Sequence, residues 1–232
     1  MLGEIGLFAI GIAFLLAVYA TLASAYGGRT NRSAWVESAR NAALLVFPLL
    51  TIAVLIIVYA LVTLDFSLAY VVDVSSRSMS PFLRVTALWG GQSGSILFWA
   101  WLMAGFVAVV LVRKWQRDRE LMPYVIAVSM LTTAFFIGLT VFITNPFARL
   151  WHVPGAQDLI TAVFQPAGAM PYIPQDGQGL NPLLRHFGMI GHPPTTYVGF
   201  TGFVIPYAFA IAALITGKAH EDEWIRTTRR WT

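Results

Sequence analysis

Five stretches of this sequence are long, apolar and free of charged residues. A membrane-spanning helix needs about 20 consecutive apolar residues. Backbone polar groups cannot bond to water inside hydrocarbon, so only helices and closed barrels cross it, and runs of this length favour helices. The runs lie at about residues 5–25, 41–64, 95–112, 121–144 and 193–216. We therefore predict an all-α integral membrane protein with about five transmembrane helices, forming a single membrane domain over residues 1–232.

The composition supports a membrane protein and excludes several other classes. Only 11% of the residues are charged, whereas soluble domains carry about 25%. The sequence contains no cysteine, which excludes disulfides, Cys-based metal sites and thiol redox chemistry. Glu4 directly precedes the first apolar run, which lacks a basic leader, so we expect a retained span rather than a cleaved signal peptide.

The basic residues predict the orientation in the membrane. Eleven of the 15 Lys and Arg residues lie in segments 26–40, 113–120 and 217–232. Cytoplasmic loops carry such an excess, so we read the positive charge as a topology signal and not as a nucleic-acid surface. The N-terminus is then outside, the C-terminus is cytoplasmic, and 65–94 and 145–192 are outer loops. The other four basic residues are Arg77, Arg84, Arg149 and Arg185.

The outer loops contain signals for short interfacial helices. Ser80–Pro81 is typical of an N-cap followed by Pro at the first helical position, and Gly90–Gly91 would end that segment. Asn181–Pro182 repeats the pattern, and Gly188 would end the second helix. Between them, segment 166–179 is rich in Pro and Gly and is predicted to be irregular.

His192 is the most informative polar residue. It lies between Gly191 and Pro193–Pro194, directly before the last apolar run, which predicts an imidazole at the outer mouth of the fifth membrane helix. Neutral histidine is a common haem and metal ligand, and the adjacent prolines restrict its backbone. The alternative is an interfacial histidine that only bonds a neighbouring carbonyl. The residues alone leave both interpretations open.

A second candidate segment runs from Trp89 to Ser95, with the sequence W-G-G-Q-S-G-S. Gly90 and Gly91 would allow a close approach to the backbone or a positive φ. Trp89 could stack on a flat macrocycle at the outer surface. The alternative is a general aromatic belt, since Trp and Tyr collect at both membrane interfaces.

The outward arginines and histidines complete the set of candidates. Arg84, Arg149 and Arg185 could pair with the carboxylates of an anionic ligand such as haem propionates, because guanidinium suits bidentate carboxylate recognition. Lipid phosphate is the alternative partner. His186 is placed in the short helix after Asn181, and His152 is interpreted as a solvated loop residue.

The interiors of the apolar runs are also informative. They contain no Asp, Glu, Lys, Arg or His. Ionisable residues within a membrane commonly mark proton or ion pathways, so the sequence disfavours a pump or an ion-coupled carrier. A small-molecule carrier with the outer loops as a lid remains the less favoured alternative.

Four motifs in this chain resemble a known family. They are W-G-G-Q-S-G-S-I-L-F-W at 89–99, T-N-P-F-A-R at 144–149, L-N-P-L-L-R-H-F-G-M-I-G-H-P-P-T-T-Y-V-G-F at 180–200 and W-I-R-T-T-R-R-W-T at 224–232. In this order they resemble the N-terminal part of the CcmF family of cytochrome c-type biogenesis proteins. The resemblance covers essentially the whole chain and corresponds to about the first third of the family pattern.

The resemblance implies a part in a cytochrome c haem lyase of the bacterial inner membrane. Such proteins receive haem b, as a transferred substrate, from the periplasmic chaperone CcmE. They attach it to the cysteines of an apocytochrome c held by CcmH. By this similarity, His192 would be an axial ligand of the haem iron, and no nucleic acid is involved.

The chain also departs from the family pattern. Ser93 stands where family members often carry Glu. The family's Trp-rich segment, its second outward histidine and the histidines that hold a structural b-type haem would come after Thr232. That haem would therefore need the C-terminal portion of the lyase, on another chain if the gene is split. We expect incomplete lyase activity from this chain alone, and a non-catalytic assembly subunit is the alternative.

Overall fold

The structure is a computed structural model that describes residues 1–113, 119–155, 158–229 and 231. For residues 222 and 223 it describes the backbone only. Among the described residues, five helical stretches are long and apolar enough to cross a membrane, as the sequence predicts. The α-helices are α1 (Leu2–Thr30), α2 (Ser33–Thr63), α3 (Ala69–Val74), α4 (Pro81–Thr86), α5 (Gln92–Arg113), α6 (Met122–Phe142), α7 (Phe187–Gly202), α8 (Val204–Ile215) and α9 (Asp222–Thr228). The stretch Phe187–Ile215, made of α7 and α8, is the fifth candidate span.

Helices α1 and α2 form a close hairpin because one face of α1 carries small side chains. Ala9, Ala13, Ala17 and Ala20 recur at helical spacing and are buried. Small residues let neighbouring backbones approach closely in a membrane, where van der Waals packing replaces the hydrophobic effect as the main attraction between helices. The same helix also packs against α6, so α1 is central to the bundle.

The connection between α1 and α2 is shorter than the sequence predicts. The prediction placed it at 26–40, but only Asn31 and Arg32 lie between the helices. Asn31 adopts the left-handed conformation with φ 52°, and the N–H of Arg32 bonds to the carbonyl of Gly27 at 2.9 Å. The prediction was wrong because charged residues mark where the membrane ends, whereas helices continue past that boundary.

The bundle has two ends with different character. At what we call the basic end, α1, α5 and α8 finish and α2 and α6 begin, since consecutive spans run in opposite directions. At the opposite loop end, α1 and α5 begin and α2 and α6 finish. Lys114, Arg117 and Arg230, three of the basic residues from which the orientation is predicted, lie outside the described residues. The assignment of the basic end to the cytoplasm remains a prediction.

The short helices of the loop end follow the predicted signals in part. Ser80 caps α4, and its hydroxyl accepts a hydrogen bond from the Leu83 N–H at 3.4 Å. Asn181 instead caps a 3-10 helix, Pro182–Arg185. The prediction that Gly188 ends this helix is wrong, since Gly188 lies in the first turn of α7.

The physical reason is a second cap. His186 lies just after the 3-10 helix, and not within the short helix where the sequence placed it. Its Nδ1 accepts a hydrogen bond from the Gly188 N–H at 3.2 Å. A side-chain acceptor at this position satisfies one of the unpaired N–H groups at a helix start. The fifth membrane helix therefore begins at Phe187, six residues before the predicted start.

A small antiparallel sheet lies within the second outer loop and was not predicted. It consists of β1 (Arg149–His152), β2 (Ile160–Ala162) and β3 (Met170–Pro171), in the order β2-β1-β3. Strands of two to four residues are too short to show the alternating pattern by which a strand is recognised. Outside this sheet the regular structure is helical, which agrees with the predicted fold class.

The two outer loops are bonded to each other. The backbone N–H of Gln178 donates to the carbonyl of Val72 at 2.7 Å, and that of Gly179 donates to Ser75 at 3.1 Å. A Cβ atom at residue 177 would collide with the carbonyl oxygens of Val72 and Ser75, so the loops can be this close only because residue 177 is glycine. The long second loop thus packs on α3, and the loop end is one connected layer.

The fifth span is interrupted near its middle. Helix α7 ends at Gly202, Phe203 is a turn residue, and α8 begins at Val204. Pro206 has no N–H to donate to the carbonyl of Gly202, four residues earlier, and this is the usual reason for a break in a membrane helix.

We predict that the contact between the loops weakens in acid through Asp176. Its carboxylate accepts the backbone N–H of Arg77 at 2.8 Å, and this bond, followed by the N–H of Gly177, holds the pKa of Asp176 below its usual value. A lowered pKa means that the carboxylate stabilises the junction above about pH 4 and that this stabilisation is lost as the pH falls through the lowered value. Hydrogen-exchange protection of the Arg77 amide, measured from pH 7 to 3, should fall accordingly.

Asp176→Asn is the control for this prediction, because its amide oxygen can accept the same bond without titrating. Protection of the Arg77 amide in that variant should change little over the same pH range. An equal acid-dependent loss in both proteins would contradict the assignment.

Candidate functional site

His192 lies in the second turn of α7 with its side chain exposed. The sequence predicted that His192 lies just before the helix. This prediction was wrong, because the helix begins about one and a half turns before His192. Its Nε2 is 3.5 Å from the Thr196 hydroxyl, and its carbonyl accepts a bond from the Thr195 hydroxyl at 2.9 Å. The imidazole is therefore accessible from outside the bundle and is not packed in its interior.

Trp89 supplies a hydrogen bond that the backbone next to His192 lacks. Pro194 has no N–H to offer the carbonyl of Ile190, four residues earlier. The indole Nε1–H of Trp89 donates to that carbonyl at 3.2 Å. A side chain 101 residues away in sequence thus supplies the bond that the proline cannot make. This contact brings together the two segments that the sequence analysis identified separately.

Trp89 is fixed in turn by a column of aromatic rings. Its ring centroid lies 5.8 Å from that of Phe98. Phe98 stacks on Trp101 at 5.6 Å, and Trp101 stacks on Phe47 of α2 at 5.9 Å. Such pairs add a favourable contribution beyond burial. The column connects the start of α7 to the second membrane helix through α5.

A polar contact joins α5 and α7 beside this column. The Ser95 hydroxyl donates to the carbonyl of Trp89 at 3.0 Å. The Tyr197 hydroxyl in turn donates to the Ser95 hydroxyl at 3.5 Å. The ring of Tyr197 also meets Trp99 edge-on at 5.0 Å. Helix α7 is thus held on its inner side, whereas the side that bears His192 is exposed.

The glycines after Trp89 have the close approaches that were expected, but to other parts of this chain. A Cβ at Gly90 would collide with Leu180, and one at Gly91 would lie 2.8 Å from Val74 Cγ1. Gly90 therefore packs against the second outer loop, and Gly91 packs against α3 of its own loop. A contact between Gly90 or Gly91 and a cofactor remains a prediction.

Each outward arginine already has a protein partner. Arg84 donates to the backbone carbonyls of Val62 at 3.2 Å and Arg77 at 3.1 Å, while its Nε has no partner. Arg185 Nε donates to the carbonyl of Leu180 at 2.9 Å. These contacts attach Arg84 to the end of α2 and Arg185 to the segment just before α7.

Arg149 belongs to a different contact. It forms an ion pair with Glu4 of α1 at 3.2 Å. His152, at the end of β1, is exposed. In the part of the chain that the structure describes, no three His, Cys, Asp or Glu side chains converge as a metal site.

Sequence reasoning missed Tyr70 of α3. It is buried, and its hydroxyl donates to the carbonyls of Ala87, at 2.7 Å, and Leu88, at 2.9 Å. Burial raises the pKa of Tyr70 well above its usual range, so the phenol stays neutral and remains a donor. It holds the 3-10 helix Ala87–Trp89 in place, and therefore Trp89. The available signal was the short apolar run 68–72 within an outer loop.

A family model described as "Cytochrome C assembly protein" matches residues 89–231, which is more than half of the chain. The matched range includes both Trp89 and His192. The chain belongs to the cytochrome c assembly protein family. This confirms the resemblance inferred from the motifs.

Curated relatives of this cytochrome c assembly protein are longer than it is. It is 34% identical over its whole length to the cytochrome c-type biogenesis protein CcmF of Escherichia coli strain K12, covering 33% of that protein. It is 34% identical to CcmF of Pseudomonas aeruginosa, covering 32%. For CcmF of Haemophilus influenzae the identity is 30%, and 33% is covered. The chain thus spans about a third of the length of the relatives it matches.

A solved structure shares the fold. The structure described as "Cytochrome c Heme Lyase CcmF" superposes with a TM-score of 0.77 at 23% identity, over 100% of this chain and 33% of that one. Together with the apolar helices, these matches identify a multi-pass membrane protein that is similar to the N-terminal portion of CcmF.

We predict that Gly94→Ala destabilises this assembly protein. A methyl group at residue 94 would collide with the carbonyl of Leu88 and the hydroxyl of Tyr70. Overpacking of this kind costs about 1–3 kcal/mol, so the apparent melting temperature in detergent should fall. Gly199→Ala is the matched control on another membrane helix, because nothing lies within 4 Å of its added methyl group. An equal melting temperature for the two variants would contradict the role given to Gly94.

We also predict that Trp89→Phe loosens the start of α7. The substitution keeps an aromatic ring but removes the N–H bond to Ile190, which is worth about 0.5–1.5 kcal/mol. Amides of residues 187–192 should exchange hydrogen roughly 2–10-fold faster. Trp101→Phe removes a similar indole bond, to Thr51 at 2.9 Å, and should leave exchange at 187–192 unchanged. Equal effects from both variants would show general loosening instead.

Proposed function

We propose that this chain takes part in cytochrome c maturation as the haem-handling portion of a haem lyase. It would position haem b, the transferred substrate, at the loop end for covalent attachment to apocytochrome c. One observation carries the proposal: His192 is exposed on a helix turn whose backbone is fixed by Trp89. A neutral imidazole held in this way suits an axial ligand of haem iron.

The chemical work in this proposal is positional. A thioether forms when a cysteine S–H adds across a haem vinyl C=C bond, with sulfur going to one carbon and hydrogen to the other. The reacting groups belong to the haem and the apocytochrome, so the lyase needs to hold and orient them. Fixing such groups relative to each other supplies much of the rate in reactions of this type.

We assign graded roles to the arginines. Arg185 is exposed on the 3-10 helix that leads into α7, which makes it the first choice for a propionate. Arg84 and Arg149 are committed to a carbonyl pair and to Glu4, so a propionate would have to share or replace those partners. Trp89 would line the pocket from below, with Gly90 and Gly91 beside it.

The proposed partners follow from the relatives and from the covered length. Because the relatives are named cytochrome c-type biogenesis proteins, we propose that CcmE delivers the haem and that CcmH presents the apocytochrome. Because the chain spans about a third of their length, we propose that the C-terminal portion of the lyase completes the site. That portion would also hold any structural b-type haem. The proposed location is the inner membrane, with the N-terminus outside.

The second candidate function is a non-catalytic assembly subunit. The exposed side of α7 favours it: Phe187 is 87% exposed, and nothing lies within 4 Å of a methyl group added at Gly191 or Gly199. Such a surface can pack closely against another membrane helix. In this version α7 recruits the rest of the lyase and His192 contacts no iron.

The test is His192→Ala, with the chain expressed together with the rest of the maturation system. If the imidazole is an axial ligand, the Soret band of the purified complex should shift or decrease. The yield of holo-cytochrome c should fall at least about tenfold, the lower range for loss of a group that merely supports a metal ligand. His152→Ala, an exposed histidine in the same loop layer, is the control and should preserve both readouts.

Two outcomes separate the alternatives. An unchanged Soret band and an unchanged yield in His192→Ala would refute the ligand role. If a bulky residue at Gly191 abolishes co-purification with partner proteins while His192→Ala changes nothing, the assembly function is correct instead.

A further inference from the structure

A cavity of about 520 Å³ lies at the basic end, away from His192 and the outer loops. It is enclosed by the end of α1, the start of α2, the start of α6 and the segment after α8. Its volume falls within the range of small-molecule sites, about 300–1,000 Å³. The residues that matter for its chemistry are Gly28, Glu37, Arg119, Glu120, Tyr124 and Lys218.

The charged side chains of this cavity alternate in sign. Arg119 pairs with Glu37 at 3.5 Å, and Lys218 pairs with Glu120. The bond from Lys218 holds the pKa of Glu120 below its usual value, so this carboxylate is ionised at neutral pH. All four groups are partly exposed, and exposed ion pairs contribute little. A ligand that carries both charges can therefore take over these partners at small cost.

Two helix starts add positive potential at the same place. Helices α2 and α6 both begin here, and neither has a side-chain cap at Arg32 or Leu121. The helix dipole favours a negatively charged group near such positions. Together with Arg119 and Lys218, they provide the surroundings that a phosphate requires.

A second cavity, of about 410 Å³, lies next to the first and is mainly apolar. Tyr124 lines both cavities. The second is lined further by Ala127 and Val128, which lie one turn deeper along α6, and by Ala25 and Ile215 on the neighbouring helices. Arg29 lies at its edge. A polar cavity at the helix ends and an apolar one a turn below match the two parts of a phospholipid.

We propose that the basic end binds a phospholipid whose headgroup combines a phosphate with a primary amine, as in phosphatidylethanolamine. Its phosphate would lie among Arg119, Lys218 and the starts of α2 and α6. Its ammonium would donate to Glu37 and Glu120. An acyl chain would occupy the cavity below Tyr124.

The carboxylates provide the selectivity. A primary ammonium has three N–H donors for carboxylate oxygens, whereas the trimethylated amine of phosphatidylcholine has none. An anionic headgroup without an amine would leave Glu37 and Glu120 facing negative charge, which selects against it. The site therefore differs from a purely basic patch, which would prefer anionic lipids.

The experiment measures lipid binding to the purified full chain by native mass spectrometry and by thermal shift in detergent. The probes are short-chain phosphatidylethanolamine, phosphatidylcholine and phosphatidylglycerol, together with soluble O-phosphoethanolamine and inorganic phosphate. Phosphatidylethanolamine should bind at least about tenfold more tightly than the other two lipids, a difference of about 1.4 kcal/mol. The two soluble probes should bind more weakly still.

Substitutions divide the site into its parts. Glu37→Gln with Glu120→Gln should remove the preference over phosphatidylglycerol. Arg119→Gln with Lys218→Gln should weaken every phosphate-bearing lipid at least about tenfold. Arg113→Gln is the matched control, because Arg113 is an exposed cation at the same end of the bundle, on α5, that does not line the cavity. It should leave binding unchanged.

Ala127→Phe tests the acyl cavity separately. The larger ring should fill the space below Tyr124 and weaken the lipid without changing the affinity for O-phosphoethanolamine. Melting of each variant without lipid checks that it is folded.

Three results would overturn the proposal. The first is equal affinity for all three lipids. The second is an equal effect of the paired substitutions and of Arg113→Gln. The third is binding of O-phosphoethanolamine as tight as that of the lipid, which would mean a soluble ligand instead.

Discussion

The structure depends on the absence of water around the central part of each membrane helix. Backbone groups in hydrocarbon must bond to each other, so the apolar runs become helices. Helices without charge in the membrane are held mainly by close packing, which the alanine face of α1 provides. The Asp, Glu, Lys, Arg and His side chains therefore lie towards the two ends of the bundle. This is why the imidazole of His192 and the alternating charges around Glu37 and Lys218 lie at opposite ends and can have unrelated partners.

At the loop end, one missing N–H organises a large part of the layer. Pro194 deprives Ile190 of a bond, Trp89 replaces it, and Tyr70 fixes the short helix that carries Trp89. Each of these contacts joins segments that are distant in sequence. The position of His192 thus depends on the first outer loop as much as on its own helix, although that loop contributes no histidine.

Much of the fold follows from the sequence because its signals are local. The five spans, the cap at Ser80 and the family follow from apolar length, side-chain chemistry and motif order. Helix ends were less accurate: polar residues mark the membrane boundary, and a cap by His186 moved the start of α7 before its prolines. The bond from Trp89 to Ile190 could not be predicted, because nothing in either segment shows that they meet.

The break at Phe203 gives the fifth span a second property. His192 lies eleven residues before it, which at 1.5 Å per residue is about 16 Å along the axis. Helix α7, above the break, takes its position from α5 and the first outer loop through Trp89 and Tyr197, whereas α8, below it, packs on α6. The two halves of one span are thus anchored to different neighbours, so the place of the imidazole is set separately from the packing of the half-helix beneath it.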